Sequence, residues 1–277
     1  MSTYMIETQY YSNANVTFFS VSNLGDRKKY SMKRILPKDN EESTLILQEI
    51  SLHLSSTNPN ILKYYEAFLY ESYIWIILED CRSSLISLIS SRAGFIPEKQ
   101  MSYICKEVLK ALEYLHNSGR VHRDIKSRNV ILFDNGEVKL GDFGYAAQVT
   151  EEEIISNYNP SWMAPELISG KEYTESVDLW ALGILLLEMA EGVAPYEGEA
   201  YDVVMEKILN NPPPRLQNKF KWSKDIINFL SLCLRKDPIE RLSAKNLLCH
   251  PFIEEHDEQG SKVQFSEYYL QFKNSNN

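Results

Sequence analysis

The rhythm of hydrophobic and polar positions changes partway along the chain. Up to residue 80 the apolar residues come in short, dense runs. Residues 15–22 and 29–35 read as strands, with Leu24, Gly25 and Asp26 as turn residues between them. Residues 73–78 are wholly apolar or aromatic, which suits a buried strand. One stretch breaks the pattern: residues 41–54 carry Leu45, Ile46, Ile50 and Leu54 at helical spacing. Farther on, the helical period dominates. Pro97 opens a helix with apolar positions at Met101, Ile104, Val108, Leu112 and Leu115. It ends near Asn117, Ser118 and Gly119, and Gly119 suits a left-handed cap. Two short apolar runs, 130–132 and 138–140, flank Asp134, Asn135 and Gly136, a strong hairpin signal. Residues 177–189 are apolar nearly all round, the mark of a helix buried in a larger lobe. The pattern divides the chain into a small β-rich part and a larger α-rich part, and ligands favour such a junction.

Composition narrows the classes open to such a fold. A length of 277 residues allows a large core and more than one lobe, and 44% hydrophobic with 24% charged residues is an ordinary globular balance. The net charge of -9 argues against nucleic-acid binding and weakly against adhesion to an anionic membrane. Cys81, Cys105, Cys233 and Cys249 lie at no metal-cluster or disulfide spacing, so reduced thiols in the cytoplasm, or else the nucleus, are expected. Residues 1–10 show no secretory signal. The longest apolar run, 179–187, is too short to span a bilayer, so no membrane insertion is expected.

Three motifs then carry the chemistry. Residues 122–129 read His-Arg-Asp-Ile-Lys-Ser-Arg-Asn, residues 142–144 read Asp-Phe-Gly, and residues 164–166 read Ala-Pro-Glu. Any one of them occurs by chance; in this order, around the hairpin at 134–136, they are specific. The chain resembles the eukaryotic protein kinase domain over roughly residues 15–253. The resemblance implies an α+β bilobal protein kinase fold, with one main helix in a small β-rich N-lobe and a larger α-helical C-lobe. Residues 1–9 then form an extension, 10–80 the N-lobe and 81–253 the C-lobe. Residues 254–277 form an acidic, polar tail with partial disorder.

What the resemblance assigns is a set of roles for phosphoryl transfer, a reaction that needs positioning and charge neutralisation more than covalent work. Asp124 would orient the substrate hydroxyl and accept its proton. Lys126 would neutralise the γ-phosphate, and its position two residues after Asp124 is similar to Ser/Thr kinases. Asn129 and Asp142 would hold Mg²⁺, which prefers hard oxygen ligands. Residues 30–33 resemble the Val-Ala-Ile-Lys strand, so Lys33 would contact the α- and β-phosphates of ATP with Glu49 as its partner. Read alone, Lys33 is a solvated strand lysine beside Lys28, Lys29 and Arg34. Leu78 would be the gatekeeper, and the Glu79 carbonyl and Cys81 amide would bond the adenine edge. Ser31 replaces the usual Ala beside adenine. Glu166 with Arg241, and Asp178, are assigned as structural supports.

The chain departs from the family pattern twice. Residues 10–19 contain no glycine where Gly-x-Gly-x-x-Gly-x-Val is expected, although backbone amides must approach phosphates closely there. In the activation segment, Asn159 replaces a Thr that normally bonds the catalytic Asp and Lys. Ser156 is the one hydroxyl near a regulatory phosphate position, with Arg123 as its docking partner. Glu151, Glu152 and Glu153 either supply fixed negative charge instead or form a solvated run. Residues 147–150, 162–166, 177–180 and 191–196 are similar to the Sterile-20-like group, especially its PAK-like branch, although no room for a GTPase-binding module is expected upstream.

The function implied is a Ser/Thr protein kinase in signalling, using ATP and Mg²⁺ on a protein substrate, under an upstream kinase or regulatory partner. The rival is a pseudokinase that scaffolds or allosterically activates a partner. The missing glycines and Asn159 favour the rival, whereas retention of Lys33, Glu49, Asp124, Asn129 and Asp142 favours catalysis. The glycine-free loop predicts a Michaelis constant for ATP well above that of glycine-bearing relatives. An ATP titration giving an ordinary, tight constant would remove that expectation.

Overall fold

A computed structural model of the chain describes residues 3–13, 15–81, 83–91, 96–142, 147–148, 160–254 and 258–275. The small lobe is a five-stranded antiparallel sheet in the order β1-β2-β3-β5-β4. Its strands are β1 (Tyr4–Ser12), β2 (Val16–Asn23), β3 (Lys29–Ile35), β4 (Tyr64–Tyr70) and β5 (Tyr73–Leu78). Strands β2, β3 and β5 stand where the apolar runs predict them. β1 begins at Tyr4, inside the stretch read as an extension, and its residues are mostly exposed, so burial period carries no signal for it.

Helix α1 (Asn40–Ser55) packs on the sheet. Asp39 caps its N-terminus by accepting from the Glu42 amide at 2.8 Å. The buried face differs from the one the apolar spacing predicts. Leu54 is exposed, while Ile46, Glu49, Ile50 and His53 turn inward. Two polar side chains on a buried helical face require partners, and the site supplies them.

The large lobe holds α2 (Leu85–Ser91), α3 (Glu98–Asn117), α4 (Pro165–Ile168), α5 (Ser176–Glu191), α6 (Tyr201–Asn210), α7 (Lys224–Cys233), α8 (Ala244–Leu248), α9 (Pro251–Glu254) and α10 (Glu258–Ser275). Two short pairs complete it: β6 (Arg120–Val121) with β9 (Ala147–Gln148), and β7 (Val130–Leu132) with β8 (Val138–Leu140). The α3 positions Met101, Ile104, Val108, Leu112 and Leu115 are all buried, and Gly119 takes the left-handed φ of +69° just past the helix end. α5 is buried along nearly its whole length. A Cβ on Gly183 would lie 2.9 Å from Cys233 and Leu234, so that glycine sets how closely α5 and α7 approach. The first turn of α4 is tied to the later helices by a buried ion pair. Arg241 reaches both carboxylate oxygens of Glu166, with Nη2 to Oε2 at 2.8 Å, and also donates from Nε to the Arg235 carbonyl at 2.7 Å. Among the described residues no helix is long and apolar enough to cross a membrane.

The tail is a correction to the sequence reading. Residues 258–275 form α10 because Phe265, Tyr269 and Phe272 recur at helical spacing and are all buried. Phe265 packs 5.2 Å from the Tyr103 ring of α3. Polar anchors fasten α10 to the β7–β8 turn: Lys262 pairs with Glu137 at 3.1 Å, and Ser266 donates to the Asp134 carbonyl at 2.6 Å. Gly136 in that turn has φ +82°, and a Cβ there would meet the Lys262 carbonyl at 2.4 Å. Polar composition masked this helix, because its aromatic triplet is sparse among polar residues. Phe265→Ala is expected to lower unfolding stability by about 3–5 kcal/mol, read as a shift of the urea midpoint at unchanged slope. A change within about 0.5 kcal/mol, the range of ordinary surface positions, would mean that α10 is not docked.

Candidate active site

A cleft of about 1280 Å³ separates the lobes, and Lys33, Glu49, Leu78, Cys81, Lys126, Asn129 and Asp142 all line it. On the upper wall, β3 delivers Lys33 and α1 delivers Glu49. Their Nζ–Oε1 distance is 3.1 Å, and Tyr64 of β4 donates to the same oxygen at 2.6 Å. Burial disfavours the Lys33 charge, but Glu49 and Asp142 outweigh it and raise the ammonium pKa above that of an ordinary lysine. The ring of His53 lies flat on Tyr64 at 3.8 Å and bonds the Leu62 carbonyl at 2.6 Å. Burial holds His53 neutral, its pKa pushed down to about 3. The family motifs include neither Tyr64 nor His53; His53 lies one helical turn after Glu49 on α1, whereas Tyr64 reaches Glu49 only through the packing of β4 on that helix.

On the floor, Asp124 is 5% exposed. Lys126 Nζ lies 2.8 and 2.6 Å from its two oxygens. Asn129 Nδ2 donates to the Asp124 carbonyl at 2.8 Å and to Oδ2 at 2.7 Å. Burial raises the Asp124 pKa, with Lys126 pulling against it. Asp142 faces the cleft with its side chain 47% exposed and Oδ1 3.8 Å from Lys33 Nζ. The partial desolvation of this half-exposed carboxyl would push its pKa up, but Lys33 and Lys126 hold it below the usual carboxylate range. Two residues of this loop system adopt left-handed backbone, Arg123 at φ +66° and Asp142 at φ +60°. Such conformations persist where surrounding structure over-determines them.

That surrounding structure is α5. Asp178 is fully buried and accepts from the His122 and Arg123 amides, each at 2.8 Å, and meets His116 Nε2 at 2.9 Å. Burial would raise its carboxyl pKa; these contacts reverse the effect and lower it. One turn-set farther along, Glu188 accepts from Ser127 of the loop and, at 3.2 Å, from Trp162 Nε1. Sequence reading missed Glu188, since a lone Glu in an apolar helix has no motif.

The donor set suits a divalent cation. Asn129 commits its amide hydrogens to Asp124, so Oδ1 is the atom that could face a cation, and Asp142 offers an ionised carboxylate. Among the described residues, no three His, Cys, Asp or Glu side chains cluster as a complete metal cage. A cation here would draw its other oxygens from phosphates and water, the habit of Mg²⁺.

At the hinge, the Glu79 side chain turns away from the cleft and bonds Lys139 at 2.6 Å. The Cys81 amide is engaged by Ser31 Oγ at 3.0 Å. Arg123 donates to the Tyr173 hydroxyl at 3.1 Å. Phe143, Gly144, Glu151, Glu152, Glu153, Ser156 and Asn159 lie outside the described residues.

A β-sheet lobe over a helical lobe, with this cleft between them, defines a class that the comparisons identify. Residues 14–253 match the family described as "Protein kinase domain". The chain belongs to the protein kinase domain family. It is 38% identical over 240 residues to the serine/threonine-protein kinase pakB of Dictyostelium discoideum, covering 85% of this chain and 28% of that protein. It is 41% identical over 210 residues to serine/threonine-protein kinase 1 of Arabidopsis thaliana, covering 74% and 25%. Over 244 residues it is 36% identical to the serine/threonine-protein kinase PAK 1 of Mus musculus, covering 87% and 44%. The chain thus spans less than half the length of these relatives, and the likeness to Ste20- and PAK-like kinases extends over most of it.

Burial raises the Glu188 pKa from 4.5 to about 7, against the bonds from Ser127 and Trp162. The folded state therefore binds this proton more tightly than the unfolded chain. Its stabilising contribution is complete below about pH 4.5 and is lost as pH rises through 7. Glu188→Gln keeps an acceptor and never ionises, so its stability relative to wild type is expected to climb across that window. Parallel pH curves of urea midpoint for the two proteins would contradict the assignment.

Proposed function

We propose that the chain is a protein Ser/Thr kinase that transfers the γ-phosphoryl group of ATP to protein hydroxyls. The observation that carries this reading is the joining of Asp124, Lys126 and Asn129 at the cleft floor, with Asp142 reaching up to the Lys33–Glu49 pair. Asp124, raised in pKa yet bonded, orients the substrate hydroxyl and takes its proton as that oxygen bonds to the γ-phosphorus. The bond to the β–γ bridging oxygen breaks, and ADP leaves. Lys126 moves its ammonium from Asp124 to the γ-phosphate oxygens, and Lys33, held by Glu49, neutralises the α- and β-phosphates. Asn129 and Asp142 hold Mg²⁺, which supplies charge neutralisation across the phosphates when bound. The backbone of Glu79 and Cys81 receives the adenine.

The kinase names of the relatives support the same reading, as does the single family match across the chain. Phosphorylation of Ser156 by an upstream kinase, with Arg123 as its dock, is part of the proposal. So is a reducing compartment, cytoplasm or nucleus, which the four free thiols suit.

The deciding assay is transfer of labelled phosphate to a generic protein substrate, comparing wild type with Asp124→Asn. Activity is expected to fall by roughly 10²–10⁴-fold in the variant. Equal silence of both proteins would overturn the reading and favour a partner-binding role.

A further inference from the structure

The N-terminal strand places an unassigned side chain in the nucleotide cleft. Register between β1 and β2 slips between Gln9, which faces Phe19, and Tyr11, which faces Phe18. Tyr10 is the extra residue of that bulge, and bulges re-aim side chains. Its side chain turns into the cleft, with the ring 5.9 Å from Phe18 and tilted by 41°. The hydroxyl donates to Ser31 Oγ at 2.9 Å and lies 3.8 Å from Cys81 Sγ. Ser31 sits on β3 opposite Leu78, fully buried, and its Oγ also accepts from the Cys81 amide at 3.0 Å. One serine oxygen therefore gathers a donor from the roof of the cleft and a donor from the hinge.

That hinge amide is the donor a purine ring nitrogen needs under the proposed function. A buried serine with alanine's footprint thus supplies internally the acceptor that the ligand would bring. We infer that Tyr10 and Ser31 form a hydroxyl latch that occupies the hinge amide of Cys81 and closes the purine subsite, so that a nucleotide binds only by displacing it. The inference rests on the kinase reading, but it locates weak nucleotide affinity at the purine end of the cleft rather than at the glycine-free phosphate loop. Tyr10 and Ser31 are specificity residues here, not catalytic ones. The β1 bulge leads directly into Tyr11 and Asn13, which line the same cleft.

The test is direct binding of ATP and of adenosine, without and with Mg²⁺, to the intact chain. Ser31→Ala removes the acceptor and keeps the volume, so it is expected to tighten both ligands about fivefold, the equivalent of one neutral hydrogen bond. Tyr10→Phe keeps the ring and is expected to tighten them by a smaller factor. Because both act through one oxygen, the double variant is expected to match Ser31→Ala alone. Unchanged or weaker binding in Ser31→Ala would overturn the latch, as would a gain seen with ATP but not adenosine, or fully multiplicative effects in the double variant. The phosphate-transfer assay keeps the two proposals apart. Tightened purine binding without transfer in any variant retains the latch and removes the kinase reading. Transfer by wild type with no affinity change in Ser31→Ala does the reverse. If no protein in the series binds either ligand, both fall.

Discussion

The large lobe hangs on one carboxylate. Asp178 stands fully buried on α5 and takes the amides of His122 and Arg123 together with the His116 ring. A buried charge is tolerable only when several donors replace its lost hydration. Here the donors are the loop itself, so the interaction that makes Asp178 affordable also holds residues 122–129 in a conformation that includes a left-handed Arg123. Asp124, Lys126 and Asn129 inherit their positions from that anchoring. Glu188 repeats the arrangement on the same helix, linking Ser127 of the loop to Trp162, just ahead of the Ala-Pro-Glu motif. An apolar helix with two buried carboxylates is thus the frame on which the cleft floor is built.

The small lobe solves a different problem. Lys33 must keep its charge inside a sheet and yet face a cleft. Glu49 and Asp142 keep it protonated from opposite sides, and Tyr64 and His53 fill the rest of the wall as a stacked pair. This polar group is continuous with the hydrophobic contact of α1 on the sheet, which includes Ile46, Ile50, Tyr64 and Ile76. Displacing α1 would therefore expose apolar surface and strand a buried charge at once. The hinge is also polar on both sides, with Ser31 on the Cys81 amide inside the cleft and Lys139 on the Glu79 carboxylate behind it.

Much of this was legible from residue order. The helical spacing of Met101, Ile104, Val108, Leu112 and Leu115 predicts α3, and the Asn135-Gly136 turn predicts the β7–β8 hairpin, because these signals are local. The motif resemblance named Lys33, Glu49, Cys81, Lys126, Asn129 and Asp142, and these line the cleft. Other features escaped for physical reasons. β1 is exposed along most of its length, so it has no burial period to read. The α10 aromatics are three residues in a polar stretch, and their value depends on Tyr103 and on a glycine turn more than a hundred positions earlier. Leu54 fits the α1 spacing but lies in solvent, because polar Glu49 and His53 occupy the inward face.

By itself, then, the sequence determined the kind of chain this is: a small β-rich part, a larger helical part, and the acids, amide and lysines of the protein kinase motifs in their family order. Tertiary structure alone decided which hydrogen bonds those side chains make. Tyr10, Ser31 and Cys81 meet through a bulge and two sheet registers, across separations of 21 and 50 residues. Local patterns encode periodicity and burial, whereas the partner of a buried polar group is set by chain folding over long distances, where no short-range rule reaches.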